Sequence, residues 1–201
     1  MSRAFINEDF ASGSTFDLLN GDTFTLTSFL SVGSGTLNGG FSTAVDGNAA
    51  YTIPAAQRPK EGVSQGGLRI QLDITFKRGT STSPSGGLLT IFQFNGSTNL
   101  ELRIESGADK LKYVHGGANA TGATALGTSS HTIQMEYREE GSSHWMRVWL
   151  DGALEIDNRY SVGAVRIIEV TGLYLGVSAS GKCTWSATWD NCRLWFATDP
   201  Q

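Results

Sequence analysis

The chain has 201 residues, 25 of them glycine and only 4 proline, with 17% charged residues and a formal net charge of −4. That length can hold one sizeable core, and that charge leaves no basic footprint for nucleic acid or an anionic membrane surface. No apolar run approaches the roughly 18 residues that a membrane-spanning helix needs.

The opening residues, Met1 to Phe10, lack the apolar stretch and small-residue cleavage site of a signal peptide. This predicts a protein that stays in the cell or leaves it by lysis, as a virion protein does; the alternative is an extracellular mature chain whose signal has been removed. Phe5 to Phe10 reads as an edge strand pairing near the end of the chain. From Ala11 to Gly40, Ser, Thr and Gly alternate with single apolar residues such as Phe16, Leu26 and Leu37, a pattern of short strands and loops. Residues 1–40 are read either as edge strands of a single 1–201 domain or as an arm reaching a neighbour. Phe41 to Val45 and Ala50 to Ile53 are predicted strands, split by the turn signal Asp46-Gly47-Asn48.

Pro54 to Gly67 is polar and reads as a loop. Leu68 to Lys77 follows as the clearest strand: Leu68, Ile70, Leu72, Ile74 and Phe76 share one face, and Arg69, Gln71, Asp73 and Thr75 the other. Leu88 to Phe94, the hairpin signal Asn95-Gly96, and Leu100 to Ile104 continue the strand pattern. Leu111 to His115 is another short strand. Gly116 to Ser130 has no periodicity and almost no charge, which predicts a long exposed loop. Ile133, Met135 and Tyr137 then alternate on a strand, and His144 to Leu150 forms the next, ending in the turn pair Asp151-Gly152. Ala153 to Ile156, Val165 to Val170 and Leu173 to Val177 lead to a long final strand. The count is eleven to thirteen strands and no helix, an all-β, antiparallel jelly-roll β-sandwich of two packed sheets.

The final strand poses a parity problem. Trp185 and Trp189 share one face, whereas Cys192, Leu194 and Phe196 fall on the other. One extra residue near Asp190-Asn191 reconciles both sets with one core, which predicts a β-bulge. Cys183 and Cys192, nine positions apart on one strand, would be about 30 Å from each other at ~3.3 Å per residue, too far to bridge. Cys192 is therefore read as a reduced core residue.

The heptapeptide Trp189-Asp190-Asn191-Cys192-Arg193-Leu194-Trp195 resembles the last strand of laminin-G-like and concanavalin A-like domains. His144 to Gly152, an alternating strand ending in Asp-Gly, is similar to a second landmark of the same domains. The resemblance implies a concanavalin A-like sandwich of the lectin and glucanase superfamily. It also implies Ca²⁺ at the sandwich rim, for which Asp151, Asp157, Asn158, Asp190 and Asn191 are the oxygen suppliers; the same residues are ordinary turn and bulge formers. The paired carboxylates of the hydrolases of this fold are not supplied: Glu155-Ile156-Asp157 has no following glutamate, and Glu101 and Glu105 flank Arg103 without a central Asp. His115, His131 and His144 have no ligand spacing.

Trp145, Arg147 and Trp149 share the face opposite Met146, Val148 and Leu150. If the latter face the core, two indoles and a guanidinium project outward to stack on sugars or anchor a partner; the alternative is that the segment Gly116 to Ser130 folds over them. The expected function is a non-enzymatic binding or structural module, foremost a bacteriophage virion surface protein that decorates a capsid or belongs to a tail. Its expected partners are other virion proteins or copies of itself, and cell-surface glycans. A stand-alone lectin-like domain is the alternative and a glycoside hydrolase the third reading.

Overall fold

The computed structural model describes residues 6–8, 10, 25–26, 30–41, 49–53, 55, 68–82, 89–96, 99–105, 108–140, 143–161, 170–176 and 184–198. Among them are fifteen strands, numbered in chain order, and no α-helix. One sheet runs, in spatial order, β13 (Ala153–Ser161), β12 (Ser143–Leu150), β11 (Ser130–Glu140), β6 (Leu68–Thr82), β15 (Thr184–Thr198), β4 (Thr36–Phe41) and β3 (Leu30–Gly33), with β1 (Ile6–Glu8) also paired to β15. The other runs β10 (Ala118–Ala125), β9 (Lys110–His115), β8 (Leu100–Glu105), β7 (Leu89–Gly96), β14 (Val170–Leu175), β5 (Ala49–Thr52) and β2 (Thr25–Leu26). The pairings are antiparallel, giving an all-β jelly-roll sandwich. No helix among the described residues is long and apolar enough to cross a membrane.

Period-two burial builds the core. On β6, Ile70, Leu72, Ile74 and Phe76 are buried; on β12, Met146, Val148 and Leu150; on β8, Leu100, Leu102 and Ile104. Each such side chain contributes roughly 1.5–3 kcal/mol by leaving water. Trp189 packs edge-on against Phe76, with ring centroids 5.7 Å apart.

The predicted bulge is present. The register between β15 and β6 shifts between Asp190 and Arg193, and Asn191 takes φ 49°. Trp189, Cys192 and Leu194 are all fully buried as a result. The first half of β15 pairs with β4 and the second with β1, as Ile6 opposite Leu194 shows. The turn after β12 also follows the sequence: Asp151 and Gly152 have φ 51° and 83°, the two positive values a tight two-residue hairpin needs.

Two expectations are overturned. The strands exceed the expected eleven to thirteen, and Gly116 to Ser130 is not a long loop. Its centre is β10, paired with β9 from Ala118 opposite His115 to Ala125 opposite Lys110. Ala, Thr and Gly on an edge strand carry no hydropathy contrast, so periodicity has nothing to register. Gly122 is buried there against Glu155, whose Cγ would lie 2.7 Å from a Cβ at that position. Glu155 in turn accepts hydrogen bonds from the Thr124 amide and hydroxyl, joining β13 to β10 across the two sheets. The strand expected at Val165 to Val170, and Cys183, lie outside the described residues apart from Val170.

Candidate binding face

The outward side of the β13–β12–β11–β6–β15 sheet carries the polar and aromatic residues that alternate with the core. Register arranges them in rows across the strands. One row reads Leu154, Trp149, Gln134, Asp73, Arg193; the next reads Asp157, Arg147, Glu136, Gln71, Trp195. A third reads Arg159, Trp145, Arg138, Arg69. Rows lie about 7 Å apart along the strands, two residues of rise.

An open groove of about 320 Å³ lies over the first two rows, lined by Trp149 and Trp195 at its sides and by Gln71, Asp73, Gln134 and Glu136 on its floor. The two tryptophans stand three strands apart, roughly 14 Å across the sheet, and one row apart along it. Glu136 is held by Arg69 at 2.7 Å, and Gln134 donates to Asp73 at 3.4 Å. Burial pushes the Asp73 carboxyl above its usual range, offset in part by the Gln134 hydrogen bond and by the charge of Arg193. Chemically this is an amphipathic trough: two tryptophans border a floor of donors and acceptors.

Of the residues singled out from sequence, Trp145, Arg147 and Trp149 do project outward, but they divide. Trp149 borders the groove. Trp145 sits one row beyond Arg147, ringed by guanidinium carbons of Arg159, Arg147 and Arg138 at 5.1, 5.5 and 5.7 Å from its ring centroid. Each contact of this kind is worth roughly 0.5–1 kcal/mol at an exposed site. The segment Gly116 to Ser130 does not cover these residues; its strand borders the opposite sheet. Trp195, quoted in the sequence motif, was missed as a site residue. Its parity with Arg193 marks it as outward, but only the strand order sets it across from Trp149.

The carboxylates expected at a Ca²⁺ site occupy three separate places. Asp151, in the β12–β13 turn, accepts from the Thr132 amide at 2.8 Å and from His131 Nδ1 at 2.7 Å. His131 Nε2 also lies 2.7 Å from the Leu126 carbonyl, so the doubly protonated ring is the form that donates to both acceptors. Burial lowers the His131 pKa, but those two acceptors outweigh it and raise the value; the bonds from His131 and from the Thr132 amide lower that of Asp151. Asp157 pairs with Arg147 at 3.2 Å, and Asn158 donates to the Tyr113 hydroxyl at 2.7 Å. Asp190 accepts from the Asn191 amide in the bulge. No group of three His, Cys, Asp or Glu suited to a metal occurs among the described residues. Of the other carboxylates considered, Glu101 pairs with Arg103 at 3.1 Å.

A second polar constellation lies inside the sandwich, where sequence spacing gave no hint of it. His115 from β9 and His144 from β12 stack with centroids 5.6 Å apart, although they belong to different sheets. Tyr137 donates its hydroxyl proton to Glu139 and lies 3.1 Å from His144 Nδ1, which makes that nitrogen the donor to the phenol oxygen. His115 Nδ1 is 2.9 Å from the Tyr160 hydroxyl. His115, His144 and Glu139 are buried. Burial, then the nearby His144, lowers the His115 pKa to about 4, and burial raises that of Tyr160.

No family model and no curated protein sequence matches the chain. Solved structures match over nearly its full length. One is an endo-β-1,4-glucuronan lyase from the fungus Trichoderma reesei, at 10% identity and TM-score 0.63, covering 98% of this chain and 96% of that one. A second is a botulinum neurotoxin type C whose cell entry depends on interaction with two ganglioside molecules. It matches at 9% identity and TM-score 0.66, over 96% of this chain and 47% of that one. A third is the CBM2 module of an evolved Dit from Lactobacillus casei BL23 phage J-1, at 14% identity and TM-score 0.56, over 100% of this chain and 98% of that one. At such identities the likeness is one of fold, and that fold is shared by catalytic and non-catalytic proteins.

Proposed function

We propose that this chain is a non-enzymatic, glycan-binding jelly-roll module borne on the surface of a bacteriophage particle. The observation that carries the reading is the groove in which Trp149 and Trp195 flank Gln71, Asp73, Gln134 and Glu136. A sugar ring has an apolar face that stacks on an indole and a girdle of hydroxyls that pair with amides and carboxylates. Support for the virion setting comes from the end-to-end fold match with a phage Dit module. Assembly with itself or with other virion proteins belongs to the same proposal, with Leu154, a large apolar side chain 52% exposed on edge strand β13, as a contact residue.

The groove favours recognition over bond cleavage. Its carboxylates are engaged, Glu136 by Arg69 and Asp73 by Gln134. The Glu155 and Asp157 fragment is also engaged, by Thr124 and by Arg147. The test is a glycan array probed with the native protein and with Trp149→Ala. Removing one stacking face is expected to weaken binding about tenfold or more, the scale of a central aromatic anchor. Undiminished binding by the variant would sink the groove as the ligand seat, and release of new reducing ends during incubation would sink the non-enzymatic reading.

A further inference from the structure

The third row of the same face departs from the first two. Arg159, Trp145, Arg138 and Arg69 stand side by side across four strands, and Arg147 joins them from the neighbouring row. Three of these guanidinium groups lie within 5.1 to 5.7 Å of one indole centroid. Any two of them are therefore at most about 11 Å apart, comparable with the screening length of about 8 Å at physiological ionic strength, so their repulsion is not fully damped. Across the three rows, five arginines (Arg69, Arg138, Arg147, Arg159, Arg193) face three carboxylates (Asp73, Glu136, Asp157) among the described side chains. The chain as a whole is negative, at −4. Positive charge is thus concentrated beside the groove against the trend of the molecule.

Resting on the glycan-binding reading of the groove, we propose that the Trp145 cluster is a subsite for an anionic substituent of the glycan: a carboxylate, sulfate or phosphate. The indole gathers the three guanidinium groups around one point of the face. Arg159 is the residue best placed to engage the anion. It lies on edge strand β13, is exposed, and makes a long 3.4 Å contact to the Ser143 hydroxyl. A guanidinium offers a planar fork of donors that matches two oxygens of such a group at once. Arg147, tied to Asp157 at 3.2 Å, adds charge from the groove side and connects the two subsites.

An array that sets neutral polysaccharides beside ones bearing carboxylate, sulfate or phosphate tests this with the native protein, Arg159→Gln, Arg159→Lys and Trp149→Ala. The native protein is expected to prefer acidic members, with binding that weakens as salt is raised. Arg159→Gln is expected to lose about tenfold on acidic members alone, the scale of one charge-assisted hydrogen bond, and Arg159→Lys to retain part of it. The identity of the preferred acidic members distinguishes the three anions. Preference for neutral glycans, or acidic binding indifferent to Arg159→Gln, overturns the subsite and leaves the groove. Acidic binding lost in Arg159→Gln but untouched by Trp149→Ala removes the groove and keeps the arginine site. Absence of binding to every member overturns both.

Discussion

Strands β11 and β12 carry two polar regions with opposite fates. Outward, Gln134, Glu136 and Trp149 line the groove with donors, acceptors and an indole, and Arg147 stands beside them. Inward, Tyr137, Glu139 and His144 meet His115 and Tyr160 in a closed constellation. Neighbouring residues on one strand therefore face two dielectric environments. Inside, a polar group must be matched within the protein or it costs roughly 1–3 kcal/mol; outside, water fills the role. The inner set is buried in the fold, and the outer set faces solvent.

Substitutions on the two sides should separate by size. The largest effect is expected from Glu139→Ala, which removes the acceptor of the Tyr137 hydroxyl and opens a space in the core. Loss of roughly 3 kcal/mol or more is expected, read as a lower urea midpoint; an unchanged midpoint would break the distinction between the two regions.

Acid comes next. His115 is held below its ordinary value, to about 4, inside the folded chain. Between that value and 6.5 the unfolded chain binds more protons than the folded one. Stability present above about 6.5 is therefore lost as pH falls toward 4, by an amount on the order of 2–3 kcal/mol. The groups facing the ring are His144 from β12, Tyr137 from β11 and Tyr160 from β13, with Glu139 bonded to Tyr137. Urea titrations across that range should show the slope, and His115→Gln should flatten it relative to the parent.

The smallest change is expected from Glu136→Gln on the outer side. Its pairing with Arg69 is partly solvated, with side chains 17% and 32% exposed, so a cost below about 1 kcal/mol is expected. A larger shift in the urea midpoint would mean that the outer face, too, is part of what holds the sandwich together.

The sequence made some of this legible and hid the rest for physical reasons. The alternation of β6 and β12 separated inward from outward residues, because large apolar side chains contrast with Gln, Asp and Arg. The parity conflict around Asp190-Asn191 located the bulge. Edge strand β10 was invisible, since Ala118 to Ala125 has no such contrast. The groove was half visible: each residue's face could be read, but pairing Trp149 with Trp195 required the order β12–β11–β6–β15, which no local pattern encodes. The stacking of His115 on His144 was out of reach for the same reason, as the two lie on different sheets.

The bulge in β15 acts as a phase shift in a two-beat rhythm. Ahead of it, Ala187 and Trp189 fall on the inward beat; after it, Cys192 and Leu194 do. Were the rhythm unbroken, Arg193 and Trp195 would be turned toward the interior and Cys192 and Leu194 toward water. One supernumerary residue, Asn191, thus lets a single ribbon anchor the scaffold with its first half and furnish one wall of the trough with its second.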